Sequence, residues 1–337
     1  MSRTFSDCFK DRGGPLVALS PMAGYSHVGF RGICHELGSD YAPTELTSAR
    51  SIVRGGLEKS YKFMKINPET EGVTCIQLFG SEPEDFCEAM KIICEDPRLQ
   101  SVDIFDINMG CPVPKVVKTG AGSGLMRTPQ KAFNIVTNAR KTADSLGKCL
   151  TVKTRIGFSD KEINGAEFAK GLAQAGAEAI CIHGRTASAM YSGKADREEI
   201  ARIHDAVKDT GVFFIANGDI DSGKSAKDML DITDADGLMI GRAACGNPWI
   251  FDEVKNFLKG GKEPSKAPTF KDKCDMLLSE LALRASEEGQ RQAVIEMRSV
   301  MPCYIKGYPN AAGMKVALCR ASTIEEVRLI LEEGLED

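Results

Sequence analysis

Among the side chains of this sequence that are able to do chemistry, Cys111 has the most telling surroundings. Residues 102–107 (VDIFDI) form an apolar run that reads as a buried strand. Gly110 and Pro112 end it abruptly, because these two residue types stop regular structure. A thiol held at a strand's end, with the backbone turning on both sides, is aimed in a fixed direction. With an ordinary pKa of ~8.5 it is mostly protonated at neutral pH, which suits a proton donor. The glycine-rich stretch 120–124 (GAGSG) follows and predicts room for a large substrate to come close. Proton donation needs an electron source and a scaffold from the rest of the chain.

Other polar residues recur where apolar runs stop: Glu45, Gln77, Asn108, Lys153, His183, Asn217 and Arg242, with Pro21, Met22 and Ala23 after the first run. A buried strand has little structural use for Lys153, since an unpaired ammonium is costly to bury. It reads either as a cation facing an anionic ligand or electron-rich ring, or as half of an internal ion pair. Gln77 suits a hydrogen bond to a heteroaromatic ring, or is a satisfied amide. His183 is a ligand contact or a core imidazole with two partners. Asn217, Gly218, Asp219, Gly241 and Arg242 combine turns and a cation where a phosphate is commonly held.

The elements that must position these residues are eight short apolar runs, centred near residues 18, 43, 76, 105, 152, 181, 215 and 239, alternating with helical spacing. Pro43 weakens the second of them. Alternation of this kind predicts an α/β fold, a (β/α)8 TIM barrel over residues 1–250. Active-site residues then lie at the C-terminal ends of the strands. Residues 259–264 (KGGKEP) read as a linker. Beyond it, Phe270, Cys274, Leu277, Leu278, Leu281 and Ala285 make one helical face. Pro309 opens a further helix, and Ser322 to Glu325 form a capping box before the last one. Residues 251–337 are therefore expected to be a small, all-helical C-terminal domain.

Residues 218–225 (GDIDSGKS) fit the Walker A pattern. Two carboxylates inside that loop would repel the phosphates it should cradle, so the match reads as accidental. The GAGSG run is not a dinucleotide fingerprint, because Leu125 stands where the third glycine belongs.

Composition sets the outer limits. The hydrophobic fraction of 42% and charged fraction of 27% are those of a soluble globular protein. No run is long enough to span a bilayer, and the N-terminus lacks a signal-peptide core, so a cytoplasmic enzyme with reduced thiols is expected. The 12 Cys include no Cys-x-x-Cys pair and the 4 His show no ligand spacing, so no metal is expected. The net charge of −4 does not advertise nucleic acid, yet residues 107–143 and 297–324 contain no acidic residue. Lys115, Lys118, Arg127 and Lys131 lie in the first stretch. Arg298, Lys306, Lys315 and Arg320 lie in the second, with Tyr304 and Tyr308. Such local positive surface suits phosphates.

The sequence resembles the flavin-dependent tRNA-dihydrouridine synthases, in particular their bacterial B-type branch, over nearly the whole chain. The resemblance rests on Ser20-Pro21-Met22-Ala23-Gly24, Cys75-Ile76-Gln77-Leu78-Phe79-Gly80, Asp106-Ile107-Asn108-Met109-Gly110-Cys111-Pro112 and Val152-Lys153-Thr154-Arg155. It continues through Ile182-His183-Gly184-Arg185-Thr186, Ala216-Asn217-Gly218-Asp219-Ile220, Ile240-Gly241-Arg242-Ala243 and Gly246-Asn247-Pro248-Trp249. The chain departs from the family pattern at Ser26-His27 and at Thr44-Glu45-Leu46.

The resemblance implies FMN over the barrel mouth. Pro21, Met22 and Ala23 would line its ring, Gln77 would bond its polar edge, and Lys153 would steady its reduced form. His183 would contact it, and Asn217, Gly218, Asp219, Gly241 and Arg242 would hold ribityl and phosphate. NADPH (or NADH) would reduce the flavin, a hydride would pass to C6 of a tRNA uridine, and Cys111 would protonate C5. Asn108 and Lys115 would position the base, and Arg298 and Lys306 would grip the tRNA. A small-molecule FMN oxidoreductase of the dihydroorotate dehydrogenase type is the alternative; it leaves the helical tail unexplained.

Overall fold

The structure, a computed structural model, describes residues 4–261 and 267–336. Part of the expected linker, residues 262–264, lies outside the described residues. Strands β1 (Leu16–Leu19), β2 (Tyr41–Pro43), β4 (Val73–Phe79), β5 (Ile104–Asn108), β6 (Cys149–Arg155), β7 (Ala179–His183), β8 (Phe213–Asn217) and β9 (Gly237–Ile240) form a parallel series. Their order is β1-β9-β8-β7-β6-β5-β4-β2, and β3 (Thr47–Ser48) adds to the far end of β4. This is the expected eight-stranded barrel, with one two-residue strand too short to show a pattern in the sequence.

The seam between β1 and β2 is closed largely by side chains. Val17 N–H donates to the Asp40 carboxylate at 2.7 Å, and Leu19 N–H to the Ser39 hydroxyl at 3.2 Å, while Asp40 N–H donates to the Val17 carbonyl at 2.8 Å. Pro43 is tolerated because it ends its strand; the ladder continues through Thr44 N–H to the Cys75 carbonyl at 2.9 Å.

Side chains alternate across each strand. Val17, Leu19, Ile76, Ile107, Val152, Ile180 and Phe214 face the helices. Ala18, Cys75, Ile104, Cys149, Cys181, Ile215 and Met239 face inward, where Phe5 and Phe9 join the same cluster. The barrel is a filled core, open to function only at its C-terminal rim. The helix Ile250–Gly260 adds Ile250, Phe251 and Val254 to the barrel's own packing, so the barrel unit extends past residue 250.

The tail forms helices Phe270–Glu288, Gln290–Met297, Met301–Tyr304, Ala311–Leu318 and Ile324–Glu336 around a separate cluster that includes Cys274, Leu277, Leu281 and Tyr304. The expected face of the first of these is the one that packs. The cap of the last helix is one residue later than the sequence pattern suggested: the Thr323 hydroxyl accepts from Glu326 N–H at 3.2 Å, and the Glu326 carboxylate reaches back to Ser322 N–H at 2.6 Å. Among the described residues no helix is long and apolar enough to cross a membrane. No group of His, Cys, Asp or Glu among them is arranged to hold a metal ion.

Candidate active site

Strand register brings the polar residues together. Gln77 lies beside Asp106, Asn108 beside Lys153, Arg155 beside His183, and His183 beside Asn217. Period-2 alternation sends all of them to the inner face near the strands' ends. Asp106 accepts from Gln77 Nε2 at 2.7 Å and from the Thr151 hydroxyl at 2.6 Å. Gln77 Oε1 accepts from Asn108 Nδ2 at 2.9 Å. Asn108 Oδ1 in turn accepts from Cys111 N–H at 2.9 Å and Gly110 N–H at 3.3 Å. One hydrogen-bonded chain thus runs from the centre of the barrel to the backbone of the thiol residue.

Cys111 is half-buried. Burial raises its pKa above the usual thiol range; the Val113 N–H and the charge of Arg155 offset this in part. The thiol is therefore protonated at neutral pH. The turn that carries it is pinned from outside: Arg155 Nε donates to the Gly110 carbonyl at 2.7 Å, and Ser123 N–H to the Cys111 carbonyl at 3.0 Å. Gly122, at φ +58°, is so close that a Cβ there would stand 2.7 Å from the Cys111 carbonyl oxygen. A Cβ on Gly124 would stand 3.3 Å from the Val117 carbonyl oxygen. These two glycines of the 120–124 run serve close packing of the chain on itself, whereas the sequence suggested room for substrate.

The strand ends and turns from β6 onward are cationic. Lys153 Nζ donates to Asn217 Oδ1 at 3.0 Å, and Asn217 Nδ2 to the Met239 carbonyl at 2.6 Å. Among the described residues no carboxylate pairs with Lys153, and burial lowers its pKa. Arg155 also lacks a carboxylate; its guanidinium serves the carbonyls of Gly110, Thr186 and Met190, and burial lowers its pKa to about 10. Burial first, then the charges of Lys153, Arg155, Arg185 and Arg242, push His183 down to about 2. Its imidazole is neutral, and Nε2 faces Arg185 Nη1 at 3.5 Å. Among these cations lies the Asp219 carboxylate, which accepts from Arg185 at 2.8 Å, Arg242 at 3.0 Å and Ala195 N–H at 2.8 Å. Burial alone would raise its pKa, but these bonds hold it below the usual carboxylate range. A site with more buried cations than anions suits an anionic, electron-rich ligand.

The dihydrouridine synthase (Dus) family model matches residues 17–335. The chain belongs to the dihydrouridine synthase family. It is 33% identical to a probable tRNA-dihydrouridine synthase of Aquifex aeolicus, over 95% of this chain and 96% of that protein. It is 35% identical to tRNA-dihydrouridine synthase B of Xanthomonas axonopodis pv. citri, over 92% of this chain and 89% of that one. The solved structure of histamine dehydrogenase from Rhizobium sp. 4-9 shares the barrel fold, with TM-score 0.53 and 13% identity over 74% of this chain and 47% of that one. The family and its relatives' names agree with the tRNA reading and not with the small-molecule alternative.

In this member of the family the expected site residues divide into groups. Gln77 is bonded to Asn108, Lys153 to Asn217, and His183 to Asp219 through Arg185. Gly218 and Gly241 sit at the ends of β8 and β9, and Arg242, more exposed, stacks its guanidinium 5.0 Å over the Tyr191 ring. Met22 and Pro21 are half-buried and Ala23 exposed on the loop after β1. Lys115 is exposed on the short helix Pro114–Val117, just after Cys111. Arg298 and Lys306 lie in the tail: Arg298 donates to the Ala321 carbonyl from Nε at 3.0 Å and from Nη2 at 2.7 Å, bracing the tail's own turn, while Lys306 is exposed. The Walker-like match is structural. Ser222 and Ser225 cap the helix Gly223–Thr233, and Lys224 pairs with Asp228 at 2.7 Å on its outer face.

Sequence reasoning missed Asp106, Arg155 and Arg185 as parts of the site. All three occur within the quoted motifs. Their signal was a charged residue inside an apolar strand or at its end, the same signal that singled out Lys153.

Proposed function

We propose that this protein reduces the C5=C6 bond of uridines in tRNA to dihydrouridine, with FMN as its bound cofactor and NADPH (or NADH) as reductant. The observation that carries the reading is a protonated thiol on the turn after β5, next to Lys153 and Arg155, neither of which pairs with a carboxylate among the described residues. The residues present fit a flavin phosphate and its ring. Asn217, Gly218, Gly241 and Arg242 would hold ribityl and phosphate, with Asp219 fixing the arginines rather than touching an anion. Pro21, Met22 and Ala23 would line the ring, and Gln77, Lys153 and His183 would meet its polar edges. A bound flavin supplies hydride chemistry.

The chain's own residues do the rest. Neutral His183 offers a hydrogen bond without adding charge. Lys153, bonded to an amide and to no carboxylate, has its ammonium directed to the ligand, with the charge of Asp106 acting on it only from a distance. Asn108 and Lys115 position the base, and the Cys111 thiol holds the proton destined for C5. A base in folded tRNA must be turned out to reach this depth. Lys306 and the exposed cations of the tail would grip the backbone.

The test is Cys111→Ala. Dihydrouridine formation is expected to fall by about 100-fold or more, the range for a general acid, while flavin content and tRNA affinity stay unchanged. Undiminished product in that variant, measured by mass spectrometry of tRNA, refutes the role.

A further inference from the structure

We infer that Asp106, which lies inside the barrel and reaches neither base nor thiol, is a positioning residue that sets the donor–acceptor direction of the Gln77–Asn108 chain and so holds the turn of Cys111. The inference rests on the reading of Cys111 as proton donor.

A side-chain amide is nearly symmetric in shape but not in polarity, so each one needs something to choose its orientation. Asp106 makes that choice. It is 3% exposed; burial raises its pKa, while the Thr151 hydroxyl on one oxygen, the Gln77 amide on the other and the charge of Lys153 favour the carboxylate. As an acceptor it obliges Gln77 to turn Nε2 toward it at 2.7 Å. Gln77 then turns Oε1 toward Asn108 and accepts from Nδ2 at 2.9 Å. Asn108 is left with Oδ1 on the side of Gly110 and Cys111, whose N–H groups it receives at 3.3 and 2.9 Å.

Reversing the first link reverses every later one. An Asn108 turned the other way would put its NH2 against two backbone N–H groups, and the turn would lose its anchor. The same orientation uses Asn108 Oδ1 on the protein itself. What Asn108 then presents to the mouth is N–H, which suits the carbonyl edge of a uracil and not the amino edge of a cytosine. Asp106 thereby also biases which pyrimidine is accepted.

The test compares Asp106→Ala with Thr151→Val in the flavin-loaded protein. Asp106→Ala removes the acceptor that Gln77 Nε2 faces and frees that amide to turn; Thr151→Val removes a bond to Asp106 yet leaves the acceptor in place. Two readouts are followed: amide proton resonances of Gly110 and Cys111, and the single-turnover rate of pre-reduced enzyme on tRNA. The expectation is that Asp106→Ala shifts both resonances and slows the turnover about 10- to 100-fold, as for a misplaced catalytic group. Flavin content and tRNA affinity hold, and Thr151→Val leaves all of these near wild type. Equal effects of the two variants, or none from Asp106→Ala, overturn the inference.

Hydrogen exchange in the wild type keeps the question open to refutation if Asp106→Ala does not fold. The Cys111 amide is expected to exchange slowly, and exchange at the rate of an open loop breaks the chain at its last link. These amide readouts do not depend on turnover, so a failure of the proton-donor reading shows separately, as activity retained in Cys111→Ala.

Discussion

His183 shows how one side chain's protonation state reports the electrostatics of the whole mouth. Its pKa in the folded protein, about 2, lies far below the ordinary 6.5 because burial and four cations oppose a further charge. Between those values only the unfolded chain takes up the proton. Its contribution to stability is therefore fully present above pH 6.5 and is lost as pH falls toward 2. The slope is about 1.4 kcal/mol per pH unit, so pH 5 costs about 2 kcal/mol relative to pH 8 from this group. Urea unfolding of the flavin-loaded protein at the two pH values should show that loss, and His183→Asn should remove most of it. An unchanged acid dependence in the variant would mean that the imidazole already carries a proton when folded. The raised thiol of Cys111 has the opposite bearing: it stays a donor through neutral pH and loses that capacity only under alkaline conditions.

The loop from Gly110 to Gly124 folds back on the residue it presents. Gly122 takes a left-handed conformation, with no space for a Cβ beside the Cys111 carbonyl. Gly122→Ala thus meets two penalties, the left-handed backbone and the overlap, together about 2–4 kcal/mol. Chemical denaturation should register that loss, and single-turnover product formation should fall with flavin binding preserved. If both are untouched, the loop yields more easily than this packing implies. The seam of the barrel follows a similar logic at the opposite side of the sheet. Ser39 and Asp40 stand in for ladder partners between β1 and β2, and Lys255 from the helix Ile250–Gly260 ties Asp40 down at 2.6 Å. An inner carboxylate and an outer lysine complete what a three-residue strand is too short to close.

Barrel and tail are joined by buried polar contacts. Glu280 of the tail is fully buried, bonded to His27 of the barrel at 3.0 Å and to the Tyr304 hydroxyl at 2.5 Å. Gly246 packs so tightly on the tail that a Cβ would come within 2.5 Å of Cys303 and Tyr304 backbone atoms. Removing Glu280 leaves His27 and Tyr304 buried without a partner. Glu280→Ala should cost about 3 kcal/mol, with the tail melting before the barrel as a separate transition. A single transition at unchanged temperature would show that apolar packing alone holds the two together. His27 marks one place where the sequence departs from the family's pattern, and Glu45 stands between Thr44 and Leu46 at the other. His27 serves this junction, and Glu45 receives the Gly24 N–H at 2.8 Å in the loop that leads to it.

Local pattern was enough for the barrel and for much of its rim. Strand identity depends on apolar runs and their stops, and period-2 alternation then dictates which residues share the inner face; Gln77, Asn108, Lys153, His183 and Asn217 were legible on those grounds. Other features depended on neighbours far apart in the chain. Asp106 reads as an oddity within an apolar strand until Gln77 and Thr151 arrive beside it from adjacent strands. Asp219 reads as a phosphate contact until Arg185 and Arg242 claim both its oxygens. Glu280 reads as a polar interruption of an amphipathic helix until His27 meets it across the junction. The difference is physical: burial of an apolar residue needs only the right face, whereas a buried charge is explained by the particular atoms that satisfy it, and those are brought together by barrel closure and by the docking of the tail.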